Sequence, residues 1–66
     1  RPAEALADAD VAVRLLAKEA YVWDTRAHIH AKLGNREAAV RDFRAALAID
    51  PDNATSRDGL AGLGAN

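Results

Sequence analysis

Two breaks in the sequence, Gly34-Asn35 and Asp50-Pro51, enclose the segment that most restricts the fold. Between them, apolar residues recur at the three- and four-residue intervals of one helical face: Ala39, Val40, Phe43, Ala46 and Leu47. Glycine readily adopts the conformation that ends a helix, and proline disfavours a helical residue before it. The pattern predicts a helix from Arg36 to Asp50, with its charged residues, including Asp42, directed away from the apolar face.

A second helix is predicted immediately upstream, over residues 21–33, because its apolar residues share this spacing and Gly34 can end it. A connection as short as Gly34-Asn35 joins antiparallel helices. Residues 3–16 and 54–63 are also predicted to be helices, the last one capped by the turn residues 50–53 and fraying at its glycines. We therefore predict an all-α chain of about four helices.

Composition agrees with closely packed helices and excludes several functions. Half of the 66 residues are hydrophobic, many of them alanine, which lets helices approach one another. The net charge of −1 provides no excess of cations for binding nucleic acid or a membrane surface. No apolar run is long enough to cross a bilayer, and without cysteine there is no disulfide or thiolate metal site. We expect neither nucleic-acid nor membrane partners.

The chain is similar to itself at an interval of 34 residues, at which Ala39 falls on Ala5, Ala46 on Ala12, Leu47 on Val13 and Ile49 on Leu15. Residues 20–53 resemble one complete tetratricopeptide repeat, a helical hairpin that stacks into an α-solenoid. The matching positions are Trp23, Ala27, Gly34, Ala39, Phe43, Ala46 and Pro51. Arg26 and His30 depart from the pattern, since the family usually has leucine and tyrosine there. The resemblance implies that Trp23 and Phe43 are buried between helices.

The same resemblance implies a division of the chain into three parts. Residues 1–19 are expected to be the second helix of a preceding repeat, residues 20–53 a complete repeat, and residues 54–66 a C-terminal capping helix. Arg57 stands where the family's first helix has tryptophan, and a polar outer face suits a terminal helix. Because the chain contains no methionine, we expect it to be the C-terminal segment of a larger scaffold or adaptor protein.

Few residues could support chemistry. His28 and His30 diverge on a helix and cannot hold one metal together, whereas Asp24 and His28 have a spacing more typical of a surface contact. The chain has no nucleophile motif or phosphate-binding loop, and a core this small leaves no room for a substrate pocket. We predict no enzymatic activity, no cofactor and no metal site. A zinc site at Asp24 and His28 is the chemical alternative.

The resemblance also implies a concave groove that binds a protein or peptide partner. The residues at the family's groove positions are Tyr21, Asp24, His28, Lys32, Thr55 and Asp58. Asp24 and His28 stand where members that bind carboxylate tails have lysine and asparagine, so these two positions and the second acid, Asp58, favour a mixed or basic peptide. The predicted function is a non-catalytic protein–protein interaction module.

A structural role is the alternative function. Residues 1–19 lack a first helix to cover them, so we expect Leu6, Val13 and Leu15 to be exposed or hidden by self-association in a homo-oligomer. The preference for arginine over lysine and the abundance of alanine indicate a bacterial source with a GC-rich genome. The cytoplasm is the preferred compartment.

Overall fold

A computed structural model describes residues 1–65, apart from the side chain of Pro2, and contains no β-strand within them. Four helices follow one another: α1 (Pro2–Leu15), α2 (Ala20–Lys32), α3 (Arg36–Ile49) and α4 (Ala54–Gly62). The predicted all-α class is confirmed, and each helix begins and ends within one residue of its predicted bounds. Asn66, the last residue of the predicted cap, lies outside the described residues.

Both α2 and α4 end in the same local structure. Gly34 has a φ of +82°, its N–H donates to the carbonyl of Ala31, and the next N–H donates to the carbonyl of His30. Gly64 repeats this arrangement at the end of α4, with a φ of +71°. Glycine is favoured at such positions because it has no Cβ to clash with the backbone. Contrary to the expectation of fraying, α4 therefore has a hydrogen-bonded C-terminus.

The turn between α3 and α4 follows from its sequence. Asp50 is extended before Pro51, and its carboxylate accepts a hydrogen bond of 3.1 Å from the N–H of Asp52. The side chain of Asn53 then accepts a hydrogen bond of 3.1 Å from the N–H of Ser56, in the first turn of α4. The predicted turn and N-terminal cap are confirmed, and they reverse the chain so that α4 packs back onto α3.

The core lies where α2, α3 and α4 meet. It contains Ala27, Ala39, Phe43 and Leu60, each at most 6% exposed. Small residues such as Ala27 and Ala39 let helices approach each other; α2 and α3 form the most extensive contact among the described helices, and α4 packs mainly on α3. Among the described residues no helix combines the length and apolar character needed to span a membrane.

Helix α1 packs against α2 and against no other described helix. Ala9 and Val13 are buried on this side and Leu6 is half-buried, whereas Leu15 is 76% exposed. The prediction that the apolar residues of α1 are all uncovered is therefore wrong for Val13. Val13 is buried because α2 covers the side of α1 on which it lies. Leu15 is exposed because it lies a half-turn further along the helix, on the opposite side.

Phe43 is buried as predicted, whereas Trp23 and Gly59 differ from expectation. Trp23 is half-buried, and its indole N–H donates a hydrogen bond of 2.8 Å to the carbonyl of Ala17 in the α1–α2 connection. Phe43 is 1% exposed and lies against the backbone of α4 at Gly59. A Cβ on Gly59 would overlap this ring, with its Cε2 atom only 2.7 Å away. Gly59 is therefore a packing residue.

Candidate functional site

The six residues at the predicted groove positions lie on two helices at equivalent places. Tyr21, Asp24, His28 and Lys32 follow one face of α2, and Thr55 and Asp58 occupy the positions of Tyr21 and Asp24 one 34-residue interval later, on α4. Five of the six are exposed, and Tyr21 is 59% exposed. We call this set of six residues the α2–α4 face.

Asp24 differs from the other five because its side chain is only 16% exposed. The hydroxyl of Ser56, a fully buried residue of α4, donates a hydrogen bond of 2.7 Å to Asp24 Oδ1. This bond links α2 to α4 across the α2–α4 face. A buried hydroxyl requires such a partner, since leaving it unpaired costs about 1–3 kcal/mol. Asp24 therefore has a structural contact that was not expected from the sequence.

His28 lies between the core and the surface. Its ring packs edge-on against Phe43, with the ring centroids 4.8 Å apart and the planes at 82°, and its Nε2 lies 3.5 Å from Asp24 Oδ1. About half of the side chain is exposed. The orientation of His28 is thus set by an aromatic contact and a carboxylate together. In residues 1–65 no group of three or more histidine, aspartate or glutamate side chains is arranged to hold a metal ion.

Asp42 is the residue whose placement differs most from the sequence-based prediction. It was expected on the polar face of α3, but it is fully buried. Two hydrogen bonds hold its carboxylate, from Arg26 Nε to Oδ2 at 2.7 Å and from Arg26 Nη2 to Oδ1 at 2.9 Å. Such paired bonds match the planar guanidinium to the carboxylate. The hydrogen bond to Asp42 raises the pKa of Arg26, although partial burial opposes this.

Further polar groups extend this pair. Arg26 Nη1 donates a bond of 3.3 Å to Asp10 Oδ1 on α1, and His30 Nε2 lies 3.8 Å from Asp42 Oδ2. We call Asp10, Arg26, His30 and Asp42 the Arg26 network. It joins α1, α2 and α3 behind the α2–α4 face. Both departures from the family pattern, Arg26 and His30, therefore have a common partner in Asp42.

The sequence contained signals for the residues that were missed. Ser56 corresponds to Val22 at the 34-residue interval, and Val22 is buried. A serine at a buried position needs a hydrogen-bond partner for its hydroxyl, which implies an acceptor nearby. Arg26 and His30 are one helical turn apart at two positions usually occupied by uncharged residues, which implies a carboxylate on the facing helix. Asp42 is the acid in the middle of that helix.

The charged residues of α3 were predicted to be directed away from its apolar face. Among them, Arg36 has a specific contact, because its Nε and Nη2 donate to the carbonyl of Leu63 at 3.2 and 2.9 Å. The guanidinium thereby ties the start of α3 to the end of α4. Arg41 and Arg44 are exposed and line an open depression of about 340 Å³ that does not include the α2–α4 face.

Comparison with protein families gives one match. A family model described as tetratricopeptide repeat matches residues 20–53, which are 34 of the 66 residues. The match begins at the first residue of α2 and ends within the turn that precedes α4. No curated protein and no solved structure matches the chain.

Proposed function

Because the chain belongs to the tetratricopeptide repeat family, a family of generally non-catalytic protein-interaction repeats, we propose that its α2–α4 face binds a protein or peptide partner. In this proposal the chain is the C-terminal segment of a bacterial cytoplasmic scaffold or adaptor. Residues 1–19 are then the second helix of a preceding repeat, residues 20–53 the complete repeat and residues 54–66 the cap. The Ser56–Asp24 hydrogen bond connects the two helices of the face, and the Arg26 network connects α2 to α1 and α3.

The observation that carries the proposal is the exposure of Tyr21 on the same face of α2 as His28, whose ring contacts Phe43 and Asp24. Tyr21 is 59% exposed, so its ring is open to a partner. Tyrosine gives a large contact area at a low cost in conformational entropy, which is why it is frequent in interfaces. With His28 fixed by Phe43 and Asp24, a partner would order few side chains on binding.

The charge of the α2–α4 face supports a mixed or basic partner. Asp58 is exposed and Asp24 is partly accessible, against the single cation Lys32. A free carboxylate terminus would meet these acids and be repelled, whereas a lysine or arginine would be attracted. The overall net charge of −1 likewise favours a protein partner over nucleic acid.

Selection from a random peptide library on the immobilised chain tests this proposal. Tyr21→Ala and Asp58→Lys remove an exposed aromatic ring and an exposed acid from the face without breaking any hydrogen bond described for it. We expect selected peptides to be basic, and each variant to weaken their binding, measured by fluorescence polarisation, by about tenfold, the effect of losing roughly 1.4 kcal/mol. Asp52→Lys is the matched control, because Asp52 is also an exposed acid but lies in the α3–α4 turn. Equal binding by all variants would refute the proposal.

Self-association through α1 is a second candidate, supported by its remaining exposed apolar residues. Leu15 is 76%, Leu16 44% and Val11 43% exposed. If this helix mediates dimers, sedimentation will show a mass that increases with concentration, and Leu15→Lys will restore a monomer. A monomer at millimolar concentration would exclude self-association and would not affect the proposal that the α2–α4 face binds a partner.

A further inference from the structure

The α2–α4 face contains one imidazole, that of His28, among two carboxylates and one ammonium group. Imidazole is the side-chain group that ordinarily gains its charge between about pH 8 and pH 5, where ordinary carboxylates and ammonium groups keep theirs. About half of the His28 side chain is exposed, so solvent can supply or remove its proton. The charge of the face therefore depends on the protonation of this residue.

The neighbours of His28 hold one of its ring nitrogens beside Asp24. Phe43 packs edge-on against the imidazole, and Nε2 lies 3.5 Å from Asp24 Oδ1. This separation is longer than the roughly 2.7–3.2 Å of an N–H···O hydrogen bond. A charged imidazole attracts a carboxylate more strongly than a neutral one does, and charge-assisted hydrogen bonds are shorter. Protonation of His28 is therefore expected to draw the two side chains into an ion pair.

The groups around His28 come from three helices. On α2, Asp24 and Lys32 lie one turn before and one turn after it. The contact on α3 is with an aromatic ring and brings no charge. On α4, Asp58 lies at the position equivalent to Asp24, and the Ser56 hydroxyl donates a bond of 2.7 Å to Asp24 Oδ1. This bond keeps the carboxylate oxygen in place beside the imidazole.

One proton on His28 changes the balance of charge on the face. Asp24 and Asp58 are negative and Lys32 is positive, so the face has a net charge of −1 when His28 is neutral. Protonation of His28 brings this net charge to zero. A cationic peptide then loses its electrostatic attraction to the face, and the imidazole occupies the carboxylate of Asp24 that would attract the peptide's cation.

We propose that His28 regulates the α2–α4 face by pH, because its protonated ring pairs with Asp24 and releases a cationic peptide. This inference rests on the proposed function, since it requires that the face binds such a peptide. The neutral ring leaves the Asp24 carboxylate to the peptide. The affinity of the face for a cationic peptide consequently decreases from pH 7.5 to pH 5.5.

His30 provides a matched comparison because it lies on the same helix but outside the α2–α4 face. Its side chain is 14% exposed, and its Nε2 lies 3.8 Å from Asp42 Oδ2 in the Arg26 network. A proton on His30 would act on the contact between α2 and α3, and it would leave the charge of the face unchanged. The two histidines therefore separate regulation at the face from an effect of pH on the hairpin.

The test measures the affinity of the whole chain for one peptide at two pH values. The probe is the tightest-binding peptide from the library selection that contains lysine or arginine but no histidine or acidic residue. Both of its termini are blocked, so that its own charge is the same at both pH values. Fluorescence polarisation gives the Kd of the probe at pH 7.5 and pH 5.5 in low salt for the parent chain, His28→Gln and His30→Gln.

We expect the parent chain to bind the probe at least about threefold more weakly at pH 5.5 than at pH 7.5, as the gain of one exposed ion pair would produce. His28→Gln should bring this ratio close to one, whatever its affinity at pH 7.5, and His30→Gln should keep the parental ratio.

Three results would overturn the inference while leaving the proposed function intact. They are equal affinity of the parent chain at both pH values, a ratio retained by His28→Gln, and a ratio lost in His30→Gln. A chain that binds no peptide at either pH would refute the proposed function and, with it, the regulation by His28.

Discussion

Arg26 on α2 and Asp42 on α3 form a fork of two hydrogen bonds, 2.7 and 2.9 Å long, inside the hairpin that defines the repeat. The family usually has leucine at the first of these positions. An ion pair in place of an apolar contact makes the two residues depend on each other, because the carboxylate is fully buried.

Removing only one partner of this pair is expected to destabilise the chain severely. Arg26→Leu restores the usual apolar residue but removes both hydrogen bonds that Arg26 donates to the buried carboxylate of Asp42, at a cost of about 3–5 kcal/mol. The double variant Arg26→Leu/Asp42→Ala should be markedly more stable than the single variant, since both charges are gone. Urea unfolding followed by circular dichroism measures both. Equal stability of the single and double variants would show that the pair is not coupled.

The guanidinium of Arg26 should make the same contribution to the free energy of unfolding at pH 7.5 and at pH 9.5. The folded-state pKa of Arg26 is raised above its ordinary value, mainly by the hydrogen bond to Asp42. A raised pKa gives stability that is fully present below the unfolded-state value and is lost only as the pH rises through the folded-state value. The difference in unfolding free energy between the parent chain and Arg26→Leu should therefore be equal at the two pH values. A difference that shrinks by pH 9.5 would contradict this assignment.

Two glycines of α4 should respond oppositely to the same substitution. Alanine is favoured over glycine within a helix by up to about 1 kcal/mol, and nothing lies within 4 Å of a Cβ built on Gly62. Gly62→Ala should raise the melting temperature or leave it unchanged. Gly59→Ala should lower it, because the new methyl group overlaps Phe43 and overpacking costs about 1–3 kcal/mol. The two variants are matched in chemistry and helix, so a parallel response would disprove close packing of Phe43 on Gly59.

Ser56 is expected to hold α4 in place through Asp24. Ser56→Ala deletes the 2.7 Å hydrogen bond across the two helices and should cost about 1–2 kcal/mol. Hydrogen exchange should then increase in α4 more than in α2, since α4 packs mainly on α3 whereas α2 packs on both α1 and α3. Thr55→Ala is the control, because this neighbouring hydroxyl is exposed and bonds only within its own turn. Similar losses for both variants would mean that the cap, and not Asp24, fixes α4.

Sequence reasoning recovered those parts of the fold that depend on local rules. Gly34 ends α2 and Pro51 ends α3 because their backbone preferences act on immediate neighbours. Asn53 caps α4 for a similar reason. The short Gly34-Asn35 connection then predicted that α2 and α3 are antiparallel neighbours. These features needed no knowledge of which side chains meet across helices.

What sequence reasoning missed depends on contacts between helices. Asp42 looked like one of several charged residues on α3 until Arg26 was placed opposite it. Gly59 resembled a disordering residue because its role is to leave space for a ring 16 positions earlier. At the candidate site, Asp24 was identified but not its bond to Ser56. The placement of such pairs follows from packing, which periodicity alone does not specify.

Helix α4 stops at Gly62, the counterpart of His28, whereas α2 continues for another turn to Lys32. The last turn of α2 therefore has no helical counterpart in α4. A peptide bound across the α2–α4 face would contact two helices of unequal length. Asp24 and Asp58 lie where both helices are present, whereas the ammonium of Lys32 lies on the last turn of α2. Because the two helices differ in length, a peptide bound in one chain direction would make different contacts from the same peptide bound in the opposite direction.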